Sequence, residues 1–394
     1  MAECSAYMRS VLAQLRAIRE ERGLSAQDVE SKLILGPGWL EHFEFARALP
    51  SLDTLAAILS ALGSDLPDLA SRVGRSPVAE RVDRLICAKQ QGRDLLIRFR
   101  YGAHQATYTL RHATEAQFDA VMRTLRNGLA GLADATEQQG QAVKAAAVAN
   151  SFLEAVRHWP YVNPSDIWYF VIYRAYCDPY NHPARHSGLN LEQSWKRTGG
   201  WALERVLVRH YAPGLAARGI RLFIPSMDEK TQLLAASSVK DRLEPDKVDV
   251  LLTGRGRRQE ELFGVVHVKA SFAERRTDDV PLSRALIGAG YTSPLWTMDC
   301  KAPPSEHPVN RGELGAVLIP GERDRRSAKR KDIEDDGYFS ACFSYNANTQ
   351  PTPRRQHARA KVEVCDFTRP DGDAFFRFTL RQWRQFQRAK RGSS

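Results

Sequence analysis

The sequence predicts a mixed α and β protein, α+β or α/β in class, with a mixed sheet flanked by helices and a small all-α domain in front. Three observations carry this. Residues 8 to 66 repeat their apolar side chains at helical spacing. Two runs rich in β-branched residues, Lys247–Leu252 and Leu262–Lys269, flank a Gly- and Arg-rich turn around Gly254 and Gly256, which reads as a hairpin. Between these regions lie long amphipathic or aromatic stretches of helical character, so helices and strands are interleaved along one chain.

The chain has 394 residues, with 43% hydrophobic and 26% charged side chains, values of a globular protein with a sizeable core. No apolar run approaches the roughly 20 residues that cross a bilayer, and the first residues lack the apolar core of a secretory signal. The six cysteines form no CxxC pair and read as reduced thiols of a cytoplasmic protein rather than a zinc site or disulfide frame. The net charge of +11 is uneven: Met1–Arg75 holds 8 Lys and Arg against 10 Asp and Glu, while Lys301–Ser394 holds 19 against 12. Attraction for a polyanion therefore belongs to the later two-thirds.

The first 75 residues read as a helical bundle. Val11, Leu12, Leu15 and Ile18 form one stripe that Gly23 ends, and Ser25 with Asp28 makes a near capping box. The phrase LRAIREERGLSAQDVESKL, continued by EHFEFARALPSLDTLAAILSALG, resembles Cro/CI-type helix-turn-helix domains. The window where such a domain reads bases, Gly36–Glu41, has no Arg, Gln or Asn, so the module is expected to be degenerate, serving protein contact or loose DNA positioning. Residues 76–145 are expected as a connecting region, with a hairpin in Asp94–Leu110 and a helix over Glu115–Leu129. Residues 146–394 are expected to form the main domain, opening with an aromatic helical core.

The hairpin carries the chemistry. Asp249 lies on one strand, and His267 and Lys269 share a face of the other because strand side chains repeat with period two. Pairing brings Asp249 and Lys269 to one end of the sheet, an arrangement suited to metal-assisted phosphodiester hydrolysis. The plain alternative is a hairpin with an exposed acid and lysine. Upstream, Arg197 and Glu204 are seven apart and share one face if the helix runs through Gly199-Gly200; the plain alternative there is a surface ion pair.

Pro245-Asp246, Asp249 and His267-Val268-Lys269 resemble the PD-(D/E)xK nuclease pattern, with a histidine where the second acid stands. Restriction endonucleases of the CCGG-cutting group, including BsaWI-like and AgeI-like enzymes, depart in the same way and take that acid from an earlier helix. The resemblance extends to NLEQSWKRTGGWALERVLVRHYAPGLAARGI and to YFSACFSYN followed by TQPTP, over about residues 150–365. It implies a type II restriction endonuclease acting on duplex DNA at a short palindromic site containing CCGG. It implies Mg²⁺ bound by Asp249 and Glu204, with Lys269 acting on the attacking water. It implies base reading by Arg197, Glu274 and Arg275; Ala273 stands where that group's motif begins with a basic residue. A homodimer or higher homo-oligomer follows from cutting both strands of a symmetric site, with no membrane partner and a cognate DNA methyltransferase as genetic companion. Asp246 competes with Asp249 as the metal-binding acid. Further strands are expected at Tyr291–Lys301, Ala316–Pro320 and Tyr338–Tyr345, and the charged run Gly321–Gly337 as a DNA-backbone contact. The rival function is a helix-turn-helix regulator with an inactive nuclease-like domain. A third is an interaction module without DNA.

Overall fold

The computed structural model describes residues 6–33, 35–45, 48–73, 84–183, 190–235, 248–256, 259–271 and 276–392. They divide into two compact units, Met1–Arg84 and Leu85–Ser394.

The first unit holds α1 (Ala6–Glu21), α2 (Ala26–Leu33), α3 (Trp39–Glu44), α4 (Leu52–Ala61) and α5 (Leu66–Val73). The expected stripe of Val11, Leu12, Leu15 and Ile18 is buried against Val29, Leu40, Phe43 and Ile58. Ser25 and Asp28 cap α2 reciprocally, with Asp28 N–H donating to Ser25 Oγ at 3.1 Å and Ser25 N–H to Asp28 Oδ2 at 2.9 Å. The buried Glu30 carboxylate accepts from Leu40 N–H at 2.8 Å and Gly38 N–H at 3.2 Å, satisfying donors that the start of α3 leaves open. Arg19 clasps Glu44 through two nitrogens at 2.7 and 2.8 Å.

The second unit begins with an antiparallel sheet, β1 (Ile86–Gln91), β2 (Asp94–Tyr101) and β3 (His104–Leu110); β2 and β3 are the expected hairpin. Helices α6 (Glu115–Ala130) and α7 (Glu137–His158) follow, each opened by a Thr–Gln capping box. Within α7 the Ala- and Gln-rich residues 137–150 are helix. A short turn α8 (Pro164–Asp166) runs through a π-helical stretch, Ile167–Ile172, into α9 (Tyr173–Cys177). The stretch 85–145, expected as a connecting region, shares one apolar core with the remainder: Ile97, Phe118 and Leu125 belong to the same cluster as Val206, Val266 and Phe343.

Next come α10 (Leu191–Ala216), β4 (Ile220–Phe223), α11 (Met227–Ala235), β5 (Val250–Arg255), β6 (Glu260–Lys269), α12 (Arg276–Gly288), β7 (Leu295–Thr297), α13 (Ala328–Glu334), β8 (Cys342–Ser344), β9 (Val362–Val364) and α14 (Ala374–Gly392). The strands form a six-stranded sheet in the order β4-β5-β6-β7-β8-β9. The pairs from β4 to β6 are antiparallel and those from β6 to β9 parallel, so the sheet is mixed, as expected.

Three expectations change. Gly254 lies inside β5, not in the turn, because Trp383 of α14 occupies the space a Cβ would need, 2.5 Å from it. Ala316–Pro320 forms no strand, for its neighbourhood is a loop tied by Ser327 Oγ donating to Leu314 C=O at 2.8 Å. The charged run 321–337 spends two of its arginines internally. Buried Arg330 donates to Glu334 Oε1 at 2.8 Å and to Gln350 C=O at 2.6 Å, and Arg326 reaches Asp324, Glu334 and Asp335. Those two guanidiniums are not offered to DNA.

Candidate active site

The site is built where α10 crosses the ends of β5 and β6. α10 runs unbroken through Gly199-Gly200, so Arg197 and Glu204 do share a face. Gly199 packs under the Trp195 ring, whereas a Cβ on Gly200 would meet nothing within 4 Å. A cleft of about 670 Å³ opens there, lined among others by Arg197, Gly200, Glu204, Asp249, Lys269 and Asp279. The sequence-derived residues of helix and hairpin thus meet in one cavity. Lys196, Arg205, Lys230 and Lys329 also line it, giving the walls a basic balance.

Asp249 precedes the first hydrogen-bonded residue of β5 and is held by β6. Its Oδ2 accepts from Val268 N–H at 3.1 Å and from Lys269 Nζ at 3.0 Å. A backbone donor and an ammonium on one oxygen fix the carboxylate's direction. Glu204 forms no hydrogen bond or ion pair among the described residues. Burial pushes its carboxyl up to about 8, and the Asp249 charge adds to this.

His267 does not face the cleft as a ligand. It is buried, its Nε2 shares a 2.9 Å hydrogen bond with Ser293 Oγ, and its Nδ1 lies 3.7 Å from Asp279 Oδ1. Asp279 is buried on α12 with its Oδ1 3.4 Å from Lys269 Nζ. Burial acts to raise its carboxyl, but His267 and the Lys269 charge outweigh this and hold it below the usual carboxylate range. Lys269 is therefore within ion-pair distance of two acids. No local pattern marks Asp279, since α12 alone brings it back to the hairpin; its ten-residue separation from Lys269 was the only available signal.

Among the described residues no group of three or more His, Cys, Asp and Glu side chains is placed to hold a metal. Glu204 and Asp249 remain as two oxygen donors on one cleft, and Mg²⁺ characteristically takes one or two carboxylates and fills the rest of its octahedron with water and phosphate. The residues present fit that ion. Asp246, Glu274 and Arg275 lie outside the described residues.

A mixed sheet with an acid and a lysine at the ends of two interior strands, and a second acid from a preceding helix, defines the restriction-endonuclease class of fold. Comparison with known proteins agrees. The chain is 41% identical over 235 residues to the type II restriction enzyme AgeI of Thalassovita gelatinovora, covering 58% of this chain and 80% of that protein. The crystal structure of restriction endonuclease AgeI in complex with DNA superposes with a TM-score of 0.61 at 33% identity, over 73% of this chain and 99% of that one. The BsaWI–DNA complex aligns at a TM-score of 0.33 and 16% identity over 69% and 93% of the two chains, too low to bear on residue roles. The chain belongs to the AgeI family of type II restriction endonucleases. Residues 11–73 match the family described as a helix-turn-helix domain.

Proposed function

We propose that the chain is a Mg²⁺-dependent, site-specific endonuclease that hydrolyses both strands of duplex DNA at a short palindromic site. The observation that carries this is the convergence of Glu204, Asp249 and Lys269 on one basic cleft. The AgeI relationship supports it, since that relative is a type II restriction enzyme known in complex with DNA.

Asp249 and Glu204 would hold the cation, which when bound supplies Lewis acidity toward the scissile phosphate and lowers the pKa of a coordinated water. The remaining work belongs to the chain. Asp249, anchored on the Val268 amide, fixes one oxygen donor to the sheet. Lys269, within ion-pair distance of Asp249 and Asp279, keeps its ammonium where it orients the attacking water and offsets charge growing on the phosphate. Water adds to phosphorus, the P–O3′ bond breaks, and the ends carry 5′-phosphate and 3′-hydroxyl groups. Asp279 orients the lysine from behind, and His267 backs Asp279 in turn, while the acid that the histidine replaces is supplied by Glu204. Arg197, exposed at the mouth, is a base- or phosphate-reading side chain, and Glu274 and Arg275 are proposed partners in reading. CCGG is the proposed core of the site, and a homodimer the proposed assembly, because one cleft cuts one strand.

The test is incubation of the purified protein with unmodified plasmid and Mg²⁺, with the cut ends mapped by sequencing. Ends at one repeated palindrome support the reading; intact plasmid, or cutting that persists in EDTA, refutes it.

A further inference from the structure

Helix α14 presents two unlike faces. On the inner one Phe375, Phe376, Phe378 and Trp383 are buried. Phe375 and Phe378 pack on Phe343 of β8, and Trp383 and Phe386 on Phe263 of β6. On the outer one stand Arg377, Arg381, Arg384, Arg388 and Arg391, all exposed. Their spacing of four, three, four and three residues places them on one stripe, about 21 Å long at the helical rise.

Some arginines elsewhere are matched with acids, such as Arg19 with Glu44, Arg72 with Glu21, Arg221 with Glu229 and Arg330 with Glu334; what sets α14 apart is five exposed arginines on one stripe of one helix. Among the described residues none of the five on α14 forms an ion pair with a carboxylate; the nearby Glu261 is engaged by Lys390 at 3.2 Å. Like charges three and four residues apart repel and weaken a helix. The apolar inner face outweighs that repulsion, and a polyanion laid along the stripe would relieve it.

The stripe does not belong to the cleft. Phe263, on which Trp383 rests, is six residues from Lys269 along β6, about 20 Å at the strand rise. Arg377 also donates to the Gly372 carbonyl and Arg381 lies over the Phe378 ring; a row of exposed guanidiniums suits phosphates, contacts that carry no sequence information. We propose that this face is a second DNA-contact surface, gripping the phosphates of duplex DNA outside the base pairs that are cut. The proposal rests on the nuclease reading above and adds to it a source of sequence-independent affinity by which the enzyme stays on DNA before it meets its site.

The experiment uses the full chain and the triple variant Arg381→Gln/Arg384→Gln/Arg388→Gln, glutamine being a comparably good helix former. Affinity for duplexes of roughly 12 and roughly 40 base pairs carrying the mapped site is measured against salt in EDTA, with circular dichroism to confirm that the fold is kept. On the long duplex the slope of log affinity against log salt should become shallower by about 2.7, since each phosphate contact contributes about 0.9. On the short one it should stay unchanged, as should single-turnover cleavage at saturating DNA. An unchanged slope on the long duplex overturns the proposal, leaving α14 a solvated face. An equal loss on both duplexes overturns it too, by placing the arginines within the cut segment. A parent protein that binds steeply but never cuts would sink the nuclease reading alone.

Discussion

Single residues of the cleft differ in how they are held. Asp249 is tied to a backbone amide of the next strand and to Lys269, while Glu204 rides on α10 without a protein partner among the described residues. Asp249→Ala, Glu204→Ala and Lys269→Ala are each expected to abolish cleavage while leaving gel-shift binding in place; Glu204→Ala cutting like the parent would remove the helix-donated acid from the mechanism. Asp279, 3.4 Å from Lys269, is proposed to act through it. Residues that orient a catalytic or metal-binding side chain from behind typically contribute about 10- to 100-fold, so Asp279→Asn should lower kcat by that order with KM for DNA little changed. A loss confined to KM would contradict an orienting role. Stability offers a separate check at Asp166, buried beneath Tyr108, which donates to it at 2.9 Å. Burial pushes its carboxyl up to about 6, against about 3.9 for a free aspartate. The folded state then binds the proton more tightly than the unfolded one between about pH 4 and 6, so this group subtracts stability as pH rises through that window. Asp166→Asn should gain on the parent by about 2 to 3 kcal/mol between pH 4 and 7 in denaturant titrations; a difference independent of pH would show that the carboxyl is not perturbed.

At the scale of elements, what the sequence made legible was what local rules govern. Runs of β-branched and apolar residues on either side of a Gly- and Arg-rich turn marked β5 and β6, and the Ser25–Asp28 pair marked the start of α2. The shared face of Arg197 and Glu204 followed from helix geometry alone. What stayed hidden depends on partners far along the chain. Gly254 reads as a turn glycine until Trp383, more than a hundred residues later, is laid against it. The apolar run Ala316–Pro320 resembles a strand, but among the described residues no strand pairs with it. Asp279 looks like surface charge until α12 folds it back under Lys269. The three-residue strands β7 to β9 are too short for alternation to bound them, although Leu295–Thr297 and Cys342–Ser344 fall within the expected segments. The close fit at Gly254 gives a prediction: Gly254→Val should destabilise the second unit by about 1 to 3 kcal/mol, the usual range for overpacking, with the melting transition lowered accordingly. A variant as stable as the parent would mean that α14 is not seated on β5 as described.

At the scale of the whole molecule, the two units carry different charge and different chemistry. Met1–Arg75 is net acidic, and within it Arg19 and Arg72 are committed to acids. The first turn of α3 offers Trp39, Leu40, Glu41 and His42 rather than the usual base-reading amides and guanidiniums. The second unit holds every proposed catalytic residue and its own continuous core. Removing residues 1–84 is therefore expected to leave the cut sequence unchanged. A truncated protein that cuts at a shorter or different site would assign base reading to the helix-turn-helix domain after all. The central claim is that two carboxylates and a lysine on one cleft perform metal-dependent cleavage of duplex DNA. The most direct measurement is plasmid cleavage by the parent and by Glu204→Ala with Mg²⁺ or with EDTA, the ends being mapped by sequencing. The account predicts 5′-phosphate ends at one palindrome for the parent with Mg²⁺ and intact plasmid in the other three reactions; cutting in EDTA, or by Glu204→Ala at the parent's rate, would contradict it.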